Sequence, residues 1–262
     1  MAKRDPHEDI LRDLETLRLP RISAIYKEVL DQASSEGWTL LQVLAHLVGS
    51  EAAERTGRAL ESRIKRARLP KLKTLEEYDF NFPKRLPKQK ILRVFDCDFV
   101  EKHGNVVFVG NQGTGKTHLL TALGYVACQK GISVRFTRVI DMINDLTQAQ
   151  LAGTLGKALK AYTQPSMLLL DELGYLPVDK RGADLLFQVV AARYEAGSVV
   201  ITTNRAFKDW GAILDVDNTL ATALIDRLMH HGDAIGIHGG SYRMKDRNDE
   251  IDPPSSGVLA SV

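Results

Sequence analysis

The run Asn105-Val-Val-Phe-Val109 leads straight into GNQGTGKT, residues 110–117, and then into a helix-forming stretch, THLLTALGYVACQKG. This satisfies G-x-x-x-x-G-K-[ST] in the strand–loop–helix setting that the pattern needs. Few other chain features restrict the fold as tightly. Gly110, Gly113 and Gly115 let the backbone curl until successive N–H groups face one anion. The helix that follows presents its N-terminus to the same point. The candidate phosphate-binding set is therefore Gly110, Asn111, Gln112, Gly113, Thr114, Gly115, Lys116, Thr117 and His118. Lys116 is placed to reach β- and γ-phosphates, and the Thr117 hydroxyl to hold Mg2+. A chance glycine-rich turn ending in Lys-Thr lacks these flanks.

Three more apolar, β-rich runs recur downstream, at ISVRF (132–136), MLLL (167–170) and SVVIT (198–202). Helical stretches at about 116–129, 139–161 and 181–195 separate them. Continuous apolar strands alternating with helices predict an α/β fold with a buried parallel sheet between helices. In such a sheet ligands bind at the carboxyl ends of the strands. MLLLDE brings Asp171 and Glu172 to that edge, Asp171 to hold the metal and Glu172 to deprotonate an attacking water. SVVITTN ends in Thr203 and Asn204, of which Asn204 is the candidate for positioning that water; its plainer reading is a turn former. Arg227 lies on the apolar helix ALIDRLMHHG. It either pairs with Asp226 or Asp233, or acts as an arginine finger in a neighbouring subunit. Arg193 is a second finger candidate and Arg243 a further polyphosphate contact. The chain lacks the N/T-K-x-D element of guanine readers, and a small-molecule kinase would need an acceptor site and a lid. The histidines show no metal-ligand spacing along the chain, and His230-His231 read as a helix end.

The front of the chain is helical by periodicity. Thr39 and Gln42 form a capping box for a helix running toward Pro70. The expected organisation is a helical domain over 1–69, an extended basic and aromatic linker over 70–90, the α/β domain over 91–248 and a disordered tail over 249–262. Residues 55–93 hold 13 Lys/Arg against 4 Asp/Glu, while the whole chain is only +2. Such a block suits a polyanion or a solvated helix face. Its members Arg63, Lys65, Arg66, Arg68, Lys71 and Lys73 are candidate contacts to the backbone of a polyanion, which the resemblance below makes DNA. Arg135, Arg138, Lys157 and Lys160 are an alternative basic set, which in an oligomer of the kind the resemblance below implies could face a central channel. Two cysteines 31 residues apart suggest neither a disulfide scaffold nor a zinc site. No apolar run approaches membrane-spanning length, so a cytoplasmic location is expected.

GNQGTGKTHLLTALG, LLLDELGYLP, LLFQVVAARYE, ITTNRAFKDWG and ALIDRLMHHG occur in that order. With them the chain resembles the IstB family of insertion-sequence helper ATPases and, more distantly, DnaC-type helicase loaders among AAA+ ATPases. The resemblance extends over nearly the whole chain, although Asn111-Gln112 stands where the family often has proline. It implies a P-loop AAA+ core behind a small all-helical domain. It also implies ATP and Mg2+ as ligands, a homo-oligomer on duplex DNA, and a cognate DDE-type transposase as partner in target selection. A replicative helicase partner is the alternative.

Overall fold

A computed structural model describes residues 5–82, 86–214 and 218–242. Arg243 and the 249–262 tail lie outside them. The chain forms two compact units, residues 1–62 and 63–262.

The first unit contains α1 (Pro6–Thr16), α2 (Pro20–Glu36) and most of α3 (Leu40–Ala67). Asp5 caps α1 by accepting from the His7 N–H at 3.0 Å. No side chain of its own caps α2, which begins at Pro20. Glu51, reaching across from α3 and only 7% exposed, accepts from the N–H groups of Arg21 and Ile22 instead. The capping box forms: the Thr39 N–H donates to Gln42 Oε1 at 2.7 Å, and the Gln42 N–H to Thr39 Oγ1 at 3.3 Å. Glu51 and Glu54 also form i,i+4 ion pairs with Arg55 and Arg58. The front of the basic block is thus a salt-bridged helix face.

The division into units falls inside α3, ahead of the expected boundary at Leu69. From Arg63 onward the helix belongs with the second unit: Arg63 Nε donates to the Cys128 carbonyl at 2.9 Å, and Ala67 is fully buried. The second unit adds α4 (Lys88–Phe95), α5 (Asp98–Glu101), β1 (Asn105–Gly110), α6 (Lys116–Gln129), β2 (Val134–Arg138), α7 (Val139–Leu151) and α8 (Leu155–Thr163). These are followed by β3 (Met167–Leu173), α9 (Lys180–Arg193), β4 (Ser198–Thr203), α10 (Trp210–Ile213), α11 (Asn218–Met229) and β5 (Gly232–Ile237). The five strands form one wholly parallel sheet in the order β2-β3-β4-β1-β5. Helix α6 packs on one face, and α7, α9 and α11 on the other. This is the expected α/β sandwich.

β3, β4 and most of β1 are buried on both faces, which is why they read as continuous apolar runs. The single helix expected over 139–161 is two, broken at Gly153, where φ is +69°. The linker ends earlier than expected, because α4 already starts at Lys88, while the aromatics of residues 70–82 lie on the phosphate loop of the α/β domain. Arg193, entertained above as a finger, is 1% exposed. Its guanidinium donates to the carbonyls of Tyr162, Thr163, Ser166 and Ser198. Burial lowers its pKa to about 10. A side chain committed to four carbonyls inside its own subunit cannot reach a neighbour's site.

Candidate nucleotide site

The loop between β1 and α6 has the curled geometry that its glycines permit. Gly113 and Gly115 sit at φ +78° and +88°. A Cβ on Gly115 would meet the Tyr78 ring at 2.6 Å, and one on Gly110 would collide with the Ile237 carbonyl of β5. Both positions therefore require glycine for clearance, and Gly115 for its dihedral as well. Lys116 Nζ donates to the carbonyls of Gly110 and Asn111, each at 2.7 Å, which holds the ammonium over the loop.

Residues 70–82 cover one side of this loop. Tyr78, 8% exposed, donates its hydroxyl to the Thr114 carbonyl at 3.2 Å. Burial, reinforced by Asp79, pushes its pKa up to about 12. Its ring meets Phe80 and His118 edge-on. His118 Nε2 lies 2.7 Å from the Thr74 carbonyl, so this imidazole ties the strap to α6. From the far end of the unit, the Tyr242 N–H donates to the Gly113 carbonyl at 2.9 Å. Tyr78, Phe82 and Tyr242, with Lys71 and Lys73, border a cavity of about 510 Å3 whose floor is Gly113–His118. That is a large enough volume for a small ligand.

The acidic edge is built by a bulge. β3 and β4 pair in register up to Leu170–Ile201 and resume at Leu173–Thr203. Asp171 and Glu172 thus oppose the single residue Thr202. Asp171 is 3% exposed, and its Oδ1 accepts from Thr117 Oγ1 at 3.1 Å and from Thr202 Oγ1 at 2.5 Å. The same Thr202 hydroxyl accepts from the Glu172 N–H at 2.9 Å. Glu172 stands in the left-handed region at φ +64°, with its carboxylate exposed. A non-glycine residue held there stores strain of about 1–3 kcal/mol, and such strain clusters at functional sites. Sequence reading named Thr203 and Asn204 but missed Thr202, whose role depends on the bulge opposite it. Asn204 follows β4 directly, and its Oδ1 is buried with no hydrogen-bond partner among the described residues. A buried acceptor at the carboxyl edge of the sheet suits a bound water or substrate proton.

Arg227 lies on α11. Its guanidinium sits 4.8 Å over the Phe187 ring of α9 and donates to the Ala223 carbonyl at 3.0 Å. Asp233, one of its two suggested partners, is paired with Lys90 instead. Among the basic candidates, Arg138 forms a double hydrogen bond with Asp141, which raises its pKa. Arg135 lies over Tyr162. Arg68 borders a second cavity that also reaches Thr117 and Asp171. Lys65, Arg66, Lys157 and Lys160 are exposed.

A parallel sheet in this order, with a glycine-rich loop after β1 and an Asp-Glu bulge near the end of β3, defines a P-loop protein of the AAA+ fold. The chain belongs to the family of IstB-like ATP binding proteins, which matches residues 12–250. It is 37% identical over 234 residues to the IS21 putative ATP-binding protein of Pseudomonas aeruginosa, covering 89% of this chain and 88% of the relative. Among solved structures it shares its fold with AMPPCP-bound DnaA from Aquifex aeolicus. That match has TM-score 0.55 and 22% identity, and covers 70% of this chain and a little over half, 56%, of that one. It shares it also with the DnaC helicase loader (TM-score 0.53, 22% identity), covering 63% of this chain and 96% of that one.

Proposed function

We propose that this protein is an ATP-hydrolysing oligomer that binds duplex DNA and assists the transposase of an insertion sequence. The observation that carries the ATPase reading is the hydrogen-bonded chain Thr117–Asp171–Thr202–Glu172. It joins the end of the phosphate loop to the Asp171 carboxylate and to the backbone N–H of Glu172. A hydroxyl and a carboxylate oxygen 3.1 Å apart are hard donors of the kind Mg2+ takes. Thr117 and Asp171 would hold that ion, which when bound neutralises charge on the β- and γ-phosphates.

The loop N–H groups and Lys116 bind the polyphosphate, while the cavity under Tyr78, Phe82 and Tyr242 accepts the nucleoside. Glu172 takes a proton from a water that Asn204 orients. The water oxygen bonds to the γ-phosphorus as the bond to the ADP oxygen breaks, releasing ADP and phosphate. Arg227 of a neighbouring subunit neutralises the charge that develops. DNA contact falls to Lys65, Arg66 and Arg68, with phosphate rather than base edges as its target. The insertion-sequence relatives support the transposase as partner.

The test combines ATP turnover, with and without duplex DNA, and sizing of the ATP-bound assembly. Wild type is expected to hydrolyse ATP faster on DNA. Lys116→Ala is expected to lose ATP binding, and Glu172→Gln to bind ATP and remain assembled with turnover slowed at least ~100-fold. Wild-type turnover in Glu172→Gln would overturn the mechanism. Capture of a replicative helicase in place of the transposase would shift the role to helicase loading.

A further inference from the structure

The carboxyl ends of the strands carry the nucleotide site; the opposite end of the sheet carries a second cluster of chemically active groups. Glu195 lies in the turn between α9 and β4, at φ +56°. His230 and His231 lie between α11 and β5. One ligand atom from each of the three side chains lies within 4.8 Å of the others. His231 Nε2 is 3.6 Å from Glu195 Oε1, and the two imidazole centroids are 4.1 Å apart. We propose that Glu195, His230 and His231 form a binding site for a borderline divalent transition-metal ion, with Zn2+ as its occupant.

The donor set selects the class of ion. Two neutral imidazoles and one carboxylate suit Zn2+ and its neighbours, whereas Mg2+ and Ca2+ prefer all-oxygen ligands. Tetrahedral Zn2+, with bonds of about 2.0–2.2 Å, needs ligand atoms roughly 3.3–3.5 Å apart. The His231–Glu195 pair, at 3.6 Å, is close to this spacing; the full set lies within 4.8 Å, so binding requires side-chain adjustment, and all three side chains are exposed. Exposure also leaves the fourth position to water.

The backbones that carry the ligands are fixed. The Asn105 N–H donates to the His231 carbonyl at 3.0 Å, and the His230 N–H to the Asp226 carbonyl at 2.8 Å. The Glu195 turn is closed by the N–H groups of Ala196 and Gly197 on the Arg193 carbonyl, each at 3.0 Å. Below it the buried Arg193 guanidinium grips the Ser166 and Ser198 carbonyls. An outer-shell partner is also in place: the Tyr194 hydroxyl lies 2.8 Å from His230 Nδ1. With Nδ1–H donating to that oxygen, Nε2 is the ligating nitrogen, the arrangement by which outer-shell groups orient a metal-bound histidine.

An ion here would tie the end of α9 to the end of α11, the two helices across which Arg227 lies on Phe187. Occupancy would restrain the helix bearing the proposed finger from a point remote from the nucleotide.

Zn2+ titrated into the nucleotide-free full chain by calorimetry tests the site. Cobalt substitution, read as the visible absorption of tetrahedral Co2+, tests its geometry. Wild type is expected to take up one ion per chain. His230→Ala/His231→Ala is expected to abolish binding and the cobalt spectrum, Glu195→Gln to weaken binding at least ~10-fold, and Tyr194→Phe to weaken it about 10-fold. Melting temperatures without metal are expected to match wild type, which separates ligand loss from misfolding. Absence of saturable Zn2+ binding in wild type, or unchanged stoichiometry and affinity in either the double-histidine or the Glu195 variant, would overturn the proposal.

Discussion

Thr202→Val removes one hydroxyl from the centre of the acidic bulge and leaves a β-branched side chain of the same shape on β4. Two hydrogen bonds disappear together. One is the 2.5 Å donation to Asp171 Oδ1, and the other the 2.9 Å acceptance from the Glu172 N–H. A bond to a carboxylate contributes about 1.5–3 kcal/mol, and a buried N–H left without an acceptor costs about 1–3 kcal/mol. The two share one atom and are not additive; Thr117 also continues to donate to the same Asp171 oxygen. We therefore expect a net loss of about 2–4 kcal/mol. Part appears as lower stability and part as catalysis, because Glu172 loses the contact that holds it at φ +64°. About 1.4–2.8 kcal/mol directed to the transition state corresponds to a kcat lowered about 10–100-fold with KM for ATP little changed. Steady-state ATPase assays and urea denaturation read the two parts separately, and Thr202→Ser, which keeps the hydroxyl, is expected to stay close to wild type. A Thr202→Val protein with normal kcat, or a Thr202→Ser protein equally impaired, would refute the relay and leave only packing of the methyl group.

Arg193→Met leaves four carbonyls short of a donor and is expected to cost about 3–5 kcal/mol in urea denaturation; a normal urea midpoint with lost turnover would return Arg193 to the list of fingers. Arg227→Ala is expected to leave that midpoint nearly unchanged but lower turnover, with partial recovery when mixed with Lys116→Ala subunits, and no recovery would confine Arg227 to its own subunit. The Cys97 thiol, 3% exposed, is pushed up from 9.0 to about 11, mainly by burial. The folded chain therefore keeps this proton where the unfolded chain has lost it, so the stabilisation is full below pH 9 and lost as pH rises toward 11. Stability is expected to begin falling from about pH 9, before Tyr78 and Tyr162 add the same sign above pH 10, and Cys97→Ala is expected to flatten that first fall. Reversing Lys65, Arg66 and Arg68 to Glu is expected to weaken duplex binding alike for unrelated sequences and to flatten its salt dependence; unchanged affinity and slope with intact assembly would make that face merely solvated.

The parts of this protein that could be read from sequence are those whose physics is local. The phosphate loop is specified by residues 110–117 because curled backbone needs glycine at fixed positions, and α6 begins and ends where the pattern sets it. β1, β3 and β4 were visible because strands buried on both faces must be apolar throughout. β5, GDAIGI, carries too few apolar residues to stand out, and its half-exposed positions show why. The break between α7 and α8 had a sequence signal in Gly153, but a glycine within a helical pattern is also tolerated. Contacts between distant segments were out of reach. Tyr78 against Gly115, Glu51 capping α2, and Glu195 beside His230 and His231 each join residues more than 25 positions apart, and no periodicity records them. The basic block illustrates a related limit: a count over 55–93 leaves out Glu51 and Glu54, which pair with Arg55 and Arg58.

In the proposed mechanism Asp171 and Glu172, adjacent in sequence, have opposite requirements. A carboxylate that holds a cation gains from burial and from donors that fix it, and Asp171 has two hydroxyls on one oxygen. A carboxylate that takes a proton from water must stay accessible, and hydrogen bonds to its charged form would make it a weaker base. A regular strand satisfies both only by sending the two side chains to opposite faces, which carries the second away from the phosphate edge. The bulge at Asp171–Glu172 is a physical solution: it inserts one residue against Thr202, turns Glu172 into the left-handed region and keeps both carboxylates at the carboxyl end of β3. Glycine would relax that backbone, and Gly174, two residues on at φ +83°, shows the chain using it where no side chain is needed. Retaining glutamate at the strained position is therefore best explained by chemistry, with the Thr202 hydroxyl holding the backbone that a regular ladder no longer pairs.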